Sequence, residues 1–275
     1  MLRRYLLGCL VALVVARPGW AGTDAATAES LMRRSGLWEQ LAAVAPQVRS
    51  GMLAGAAQAR GAPSESELAR LSRAVDAAYS VQRLRAACLA VLAKDLDPRH
   101  VAALRRWYDG PHGRTIVRLE QEQLRQDPQA IVDKAGALLA AMPAARRRTL
   151  NEIVLATRSA EWMAELHIGT ALAAQQGAAS MWPNAARPSA GQLKTALEAQ
   201  RQQLIRTFGV LSLASFAVAY STVPTPDLER YVEFLKSEAA KDFNAASMRA
   251  ISGALFDAAS DLGRTAPGAR DKTNT

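Results

Sequence analysis

Apolar residues recur every three or four positions along almost the whole chain, and this spacing constrains the fold more than any other feature. The period matches the 3.6-residue turn of an α-helix, and no segment alternates convincingly between apolar and polar residues as a half-buried strand does. Aromatic residues, which are favoured in sheets, make up only 5% of the chain. The sequence therefore predicts an all-α fold. Segments with this spacing begin at, among others, Trp38, Leu68, Val101, Ile131, Leu193 and Leu228.

Two predicted helices begin with a capping box, in which a serine and a Glu or Gln three residues later bond each other's backbone N–H groups. Three others begin with a proline that follows an Asp or a Thr, a pair that caps the helix and presets its first turn. The boxes are Ser64 with Glu67 and Ser189 with Gln192, and the proline starts are Asp97-Pro98, Asp127-Pro128 and Thr225-Pro226.

The same periodicity predicts helix lengths. We expect Pro46 to bend or break the first long helix. A single helix is predicted from Pro143 to Leu172, and another from Thr225 to Leu262. The nearly uncharged stretch 208–220 predicts a buried core helix, because a membrane span takes about 20 residues.

The first 21 residues are typical of a secretory signal peptide. Arg3 and Arg4 precede an apolar run at 6–15, and Gly19 and Ala21 are the small residues of a cleavage site. The apolar run is shorter than the roughly 20 residues that a membrane span requires. We therefore expect cleavage after Ala21, a periplasmic or secreted mature protein, and no transmembrane segment after cleavage.

Cysteine content limits how such an exported protein is stabilised. Cys9 lies inside the signal peptide, so Cys88 is the only cysteine of the mature chain and has no disulfide partner within it. Because Cys88 follows Leu84 at helical spacing, we interpret it as a small buried hydrophobic residue rather than a reactive thiol.

The two halves of the chain show weak internal similarity. The pattern Arg34-Ser35-x-x-Trp38 recurs as Arg158-Ser159-x-x-Trp162. We predict helical repeat 1 at 22–143, helical repeat 2 at 144–263 and a disordered tail at 264–275, with 177–188 as the best linker candidate; the halves would form an antiparallel bundle or array. Residues 127 apart also match, namely Val101 with Leu228, Leu104 with Tyr231, Trp107 with Phe234, Tyr108 with Leu235 and Ile116 with Phe243.

The stretch 107–115, WYDGPHGRT, separates two predicted helices and is interpreted as a structural corner. Gly110-Pro111 ends one helix and sets the first turn of the next. The matching stretch 234–241 has only helix-compatible residues. We therefore expect the glycines and the proline to set the direction of the backbone. The predicted corner motif consists of Trp107, Tyr108, Gly110, Pro111, Gly113 and Arg114.

The corner resembles the hallmark of an exported, all-helical bacterial domain family of unknown function. That hallmark runs aromatic-Tyr, any residue, Ser or Thr, Pro, any residue, Gly, Lys or Arg. Here Gly110 replaces the hydroxyl residue, and in the second copy Glu238 replaces the proline and Ala240 the glycine. The resemblance implies an exported helical domain, in two copies, and brings no activity with it.

Catalytic and metal-binding patterns are not found in the sequence. His112 has no nearby carboxylate in sequence, and neither His100 nor His167 lies three or four residues from a suitable second metal ligand. There is no H-E-x-x-H, paired C-x-x-C, G-x-S-x-G or Walker loop. We predict no catalytic, cofactor-binding or metal-binding residues, while a site assembled from distant residues stays open.

Positive charge is spread along the chain, apart from one dense run. Loss of the signal peptide lowers the formal net charge from +9 to +6. Arg146, Arg147 and Arg148 form the run, for which a solvated patch is the first interpretation and an anion or lipid-headgroup contact the alternative. Nucleic acid is excluded as a partner, because the protein is expected to be exported and no aromatics interleave the arginines.

Three function classes follow from these observations. The leading hypothesis is an exported, non-enzymatic protein of the cell envelope that acts by protein–protein interaction, with an unknown envelope protein or lipid as partner. The alternative is a carrier of an apolar or lipid ligand bound between the two halves, suggested by the apolar stretch 208–220. The second alternative is a hydrolase whose site residues are scattered in sequence.

Overall fold

The computed structural model describes residues 22–57, 64–181 and 189–265. All regular structure in these ranges is helical, which confirms the all-α prediction, and none of these helices combines the length and apolarity that a bilayer span needs. The α-helices are α1 (Ala25–Arg34), α2 (Leu37–Ala57), α3 (Glu65–Ala78), α4 (Val81–Asp95), α5 (Val101–Asp109), α6 (Pro111–Gln123), α7 (Pro128–Ala141), α8 (Ala144–Thr157), α9 (Ser159–Met181), α10 (Ala190–Ala219), α11 (Thr225–Lys236) and α12 (Glu238–Thr265).

Some of the predicted segments lie outside the described residues. These are the signal peptide at 1–21, the linker positions 182–188 and the tail positions 266–275. The rest of the predicted linker, 177–181, belongs to α9, and α12 continues past the predicted end at Gly263. The division into repeats at 22–143 and 144–263 stays a prediction.

Four of the five predicted helix starts are confirmed with their caps; α11 does begin at Thr225-Pro226, but Thr225 is its first helical residue and the N-cap position is Pro224, without a side-chain cap. Both capping boxes are present, with Ser64 capping α3 and Ser189 capping α10. Asp97 accepts a hydrogen bond from the Arg99 N–H at 2.9 Å and starts a short 3₁₀ turn that leads into α5. Asp127 does the same for α7 through the Gln129 N–H, at 2.7 Å. These bonds lie within one turn, which is why the local sequence predicts them.

Two predicted helix lengths are wrong, and of the two effects expected at Pro46 the break does not occur. The helix expected from 143 to 172 divides at Arg158, which takes a left-handed conformation with φ of 53°. The division lets α8 pack on α11 while α9 packs on α10 and α12. Conversely, Pro46 lies within α2 and does not end it. Its side chain is exposed, whereas Val44 and Val48 hold the opposite side of the helix in the core.

The helix expected from 225 to 262 also divides, at Ser237. Ser237 has extended backbone angles (φ −68°, ψ 152°), and Gly110 has nearly the same ones (φ −72°, ψ 161°) 127 residues earlier. The Ser237 hydroxyl accepts a hydrogen bond from the Ala240 N–H at 3.2 Å, so a serine cap replaces the Gly-Pro pair of the first corner.

The buried side chains form two cores that do not follow the boundary between the halves. The first core combines side chains of α1–α5 with those of α12, and the second combines α6, α8, α10 and α11. Each half therefore contributes a helix to the core of the other half. Cys88 is fully buried in the first core, as predicted, and burial raises the pKa of its thiol to about 12.

The spacing at which the Arg-Ser-x-x-Trp pattern recurs differs from the spacing that relates the buried helix faces of the two halves. The buried faces of α1 (Ala28, Leu31, Met32) and α8 (Leu150, Ile153, Val154) match at a spacing of 122 residues, whereas the pattern recurs at 124. By this spacing Trp38 and Trp162 do not occupy corresponding positions, although both pack against the first core. The guanidinium groups of Arg33 and Arg85 also lie over the Trp38 ring, 3.9 and 4.2 Å from its centroid.

The apolar stretch 208–220 forms the last part of α10 and is not buried all round, so this prediction is wrong in part. Ala214, Ala217 and Tyr220 are buried, but 67% of Val210 is exposed. Because α10 packs mainly against α7 and α9, one side of the helix at Val210 faces outward.

Candidate functional site

The corner between α5 and α6 is held by close backbone contacts. The Gly110 N–H donates to the Trp107 carbonyl at 3.0 Å, and the Arg114 N–H donates to the Gly110 carbonyl at 3.1 Å. A Cβ on Gly113 would lie 2.2 Å from the Trp107 carbonyl oxygen. Gly113 is thus required for the close approach of the two helices, whereas the side chain of Arg114 is exposed.

Aromatic side chains join this corner to the corner between α11 and α12. The Trp107 ring stacks on Phe234 with centroids 4.5 Å apart and on Tyr231 at 5.7 Å. Tyr108 makes edge contacts with Phe234 and Phe243. Since Trp107 and Phe234 are 127 residues apart, matching positions of the two corners contact each other directly. At this point the chain's own rings fill the space between the halves.

The structure brings a carboxylate to His112 that sequence reasoning missed. His112 Nδ1 lies 3.6 Å from Asp227 Oδ1, although the two residues belong to different halves. Asp227 also pairs with Arg230 at 2.6 Å. The pair stands beside an open cleft of about 270 Å³, whose polar lining includes Thr115, Arg118 and Thr222.

A second His–Asp pair occupies the related position. His100 Nδ1 lies 2.9 Å from Asp242 Oδ2, and Asp242 also accepts from the Asp97 N–H at 3.1 Å. His100 and Asp227 are 127 residues apart and so occupy matching positions with different residue types, whereas His112 and Asp242 are 130 apart and do not match. Each pair connects the start of α5 or α11 with the first two turns of the helix that follows the other corner.

A carboxyl group lies among tyrosines, further along α6 from His112. The Tyr220 hydroxyl donates to Glu120 Oε1 at 2.5 Å, and the Tyr231 hydroxyl lies 3.3 Å from the same oxygen. Burial raises the pKa of Glu120 above its ordinary value. Burial and the neighbouring Glu120 carboxyl likewise raise the pKa of both tyrosines. This cluster joins α6, α11 and the end of α10 inside the protein.

Glu120→Gln should become more favourable, relative to the wild type, as pH rises. Because burial raises the pKa of Glu120 in the folded state, its contribution to stability is complete below the unfolded-state pKa and is lost as pH rises through the folded-state pKa. Glutamine does not ionise, so the variant does not lose stability in this way. Urea denaturation of both proteins between pH 4 and pH 8 measures the difference.

Glu122→Gln, on the same helix, is the control for that series. Glu122 is half-exposed and pairs with Arg118 at 2.8 Å, so its substitution should not reproduce the trend. A Glu120→Gln difference that stays constant or falls with pH would contradict the raised pKa.

Arg146 has an internal role, which corrects the interpretation of the arginine run as one solvated patch. Its guanidinium group donates to the backbone carbonyls of Tyr220, at 2.6 Å, and Val223, at 2.8 Å. It also donates to the Thr225 hydroxyl at 3.2 Å. Arg146 therefore satisfies carbonyl groups at the end of α10, where a cation is favourable.

Arg146→Gln should lower the free energy of unfolding by about 2 kcal/mol, as expected for the loss of hydrogen bonds from a charged donor. Arg148→Gln, two residues away on an exposed side chain, should change it by less than about 0.5 kcal/mol. Urea denaturation compares the two variants directly. Equal effects would show that the Arg146 contacts contribute nothing specific.

The remaining two arginines of the run line a second open cleft. This cleft, of about 410 Å³, is formed by Met142, Ala144, Arg147, Arg148 and Asn151. Arg147 also donates to the Leu139 carbonyl. One helical turn beyond Asn151 lies Leu155, 74% of which is exposed. We call Arg147, Arg148, Asn151 and Leu155 the outer face of α8.

The remaining predictions are that no metal site is present and that His167 is not a metal ligand. Within the ranges that the structure describes, no group of three or more His, Cys, Asp or Glu side chains is arranged to hold a metal ion. His167 is exposed and lies beside the Phe208 ring at 5.9 Å. Comparisons of the chain with protein-family models, with curated proteins and with solved structures give no match.

Proposed function

We propose that this chain is an exported, non-enzymatic protein of the cell envelope that acts by binding another protein. The observation that supports this function best is the outer face of α8. There, cationic side chains, an amide and a largely exposed leucine lie beside an open cleft. Exposed apolar surface rimmed by polar groups is typical of protein-binding sites.

The positions of the titratable groups favour binding over catalysis. His100 and His112 each face an aspartate across the two halves, and Glu120 accepts hydrogen bonds from buried tyrosines. These contacts all connect helices to one another, which is a structural use of the groups. The resemblance to an exported helical family without known activity agrees with this proposal.

The carrier hypothesis receives less support. A carrier needs an apolar cavity between the halves. Where the two corners meet, that space is occupied by Trp107, Tyr231 and Phe234. Both clefts described above are open and have charged residues in their linings.

Retention of an envelope protein on the purified mature chain tests the proposed function. Immobilised wild-type protein, exposed to an envelope extract from its own host, should retain a partner that mass spectrometry identifies. Leu155→Ser should lose it, because polar serine removes the apolar contact. Phe256→Ser is the matched control, since Phe256 is 68% exposed on α12. Equal retention by both variants would remove the outer face of α8 as the binding surface.

Export is part of this proposal and has its own test. The charged start, short apolar run and Gly-Trp-Ala site at 19–21 favour removal of the signal peptide after Ala21. Amino-terminal sequencing of protein purified from its host should begin at Gly22. A mature chain that retains Met1 would contradict the proposed location.

A second candidate function is hydrolysis at the cleft beside His112. The observation that favours it is Asp227, which lies where it can orient the imidazole as a general base. His112→Ala and His100→Ala form a matched pair, since both histidines face an aspartate. Catalysis at this cleft gains support if both variants fold normally and only His112→Ala fails to complement a deletion strain. Complementation by both variants would eliminate it.

A further inference from the structure

The outer face of α8 carries positive charge that no carboxylate of the described residues pairs with. The only carboxylate on α8 is Glu152, and it pairs with Lys236 at 2.5 Å. In the described parts of the chain, no ion pair within 4.0 Å is found for Arg147 or Arg148, and both side chains are exposed. The cleft beside them therefore presents two guanidinium groups that have no ion-pair partner among the described residues.

The same face combines this charge with an apolar contact at a fixed distance. Arg148, Asn151 and Leu155 follow one another at spacings of three and four residues, so they share one side of the helix. At 1.5 Å per residue, Leu155 lies about 10 Å along the axis from Arg148. Leu150, Ile153 and Val154 face the core and hold the helix in this orientation.

We propose that the outer face of α8 binds an acidic segment of the partner protein, with a carboxylate in the cleft at Arg147 and Arg148 and an apolar side chain against Leu155. This inference rests on the proposed function and names the partner's chemistry. Guanidinium groups bind carboxylates through paired, charge-assisted hydrogen bonds, and Asn151 offers a further donor to the same cleft.

The shape and charge of the surface favour a protein segment over a membrane. Binding to an anionic bilayer takes a cluster of about four to eight basic residues on an accessible surface. Here only two arginines line the concave cleft, and the third arginine of the run is directed inward. A protruding side chain fits this geometry better than a flat lipid surface does.

The distance between the cleft and Leu155 defines the spacing in the partner. In an extended segment, side chains on one face recur every second residue, so positions two and four residues apart, at about 7 and 13 Å, bracket this distance. In a helical segment, positions seven residues apart share a face and lie about 10 Å apart. The partner segment should therefore carry an Asp or Glu two, four or seven positions from a large apolar residue.

Site-specific photo-crosslinking in cells of the native host tests this inference on the full chain. A benzophenone amino acid replaces Leu155 in one version and Phe256 in a control version, both positions being largely exposed. The Leu155 version should crosslink to a protein segment with the acidic spacing. Adding Arg148→Glu should lower the yield by about tenfold or more, because it puts a negative charge opposite the carboxylate. Arg125→Glu, at an exposed arginine elsewhere, should leave the yield unchanged.

The outcomes separate this inference from the proposed function. A crosslink to lipid only, a crosslinked segment without acidic residues, or a yield that survives Arg148→Glu would each overturn the acidic-segment inference. A protein crosslink from Phe256 but not from Leu155 would show that the outer face of α8 is not the binding surface, while leaving the proposed function standing. A third version carries the crosslinking amino acid at the exposed Val210, and no protein crosslink from any of the three positions would overturn both.

Discussion

Gly113→Ala should lower the free energy of unfolding by about 3 kcal/mol, the upper end of the usual cost of forcing an extra methyl group into a packed site. The new Cβ would lie 2.2 Å from the Trp107 carbonyl oxygen and 2.8 Å from its carbonyl carbon. Both are backbone atoms, so no side-chain rotation relieves the clash, and α5 and α6 must separate. Thermal and urea denaturation measure the effect.

Gly136→Ala is the matched control for this prediction. Gly136 lies in α7, and a Cβ there would meet nothing within 4 Å. Because alanine favours a helix interior over glycine, the substitution should stabilise the protein by about 0.5–1 kcal/mol. If Gly113→Ala also stabilised the protein, the close approach of the two helices at the corner would be refuted.

Trp107→Ala should cost about 3–5 kcal/mol, as large aromatic truncations in packed surroundings do. Its ring stacks on Phe234 and Tyr231, and these contacts connect α5 of the first half to α11 of the second. The loss should therefore weaken the association of the halves and not only the corner that contains Trp107.

A double-mutant cycle measures that association. Phe234→Ala alone removes the same stack from the other side, so the double variant should lose less than the sum of the single losses, with a coupling of about 1 kcal/mol. Trp107→Phe is the conservative control, because it keeps an aromatic ring against Phe234. Strictly additive losses would show that the two rings do not stabilise each other.

Sequence reasoning performed best where the decisive bonds lie within one helical turn. Ser64 with Glu67 and Asp97-Pro98 were sufficient to place helix starts, because their capping bonds span two or three residues. It failed where packing overrides local preference. Ser237 divides the predicted helix and caps α12 through the Ala240 N–H, although no Gly or Pro around it rules out a continuous helix.

The candidate site could be predicted only in part for the same reason. The corner motif stood out because Gly110, Pro111 and Gly113 are unusual in a helical context. Asp227 could not be assigned to His112, because proximity of groups in different halves depends on how the helices cross. One sequence signal was available, namely the 127-residue spacing, which relates His100 to Asp227 and Trp107 to Phe234.

The sequence by itself determined that the described chain is helical, where its capped helices start, and that Cys88 is a buried side chain. These properties follow from the 3.6-residue period and from hydrogen bonds between near neighbours. Only the tertiary structure decided that each half contributes a helix to the other's core. It alone placed Glu120 among tyrosines and directed Arg146 inward while Arg148 faces outward. The physical reason is that these contacts join residues far apart in the chain, and their formation depends on the packing of whole helices.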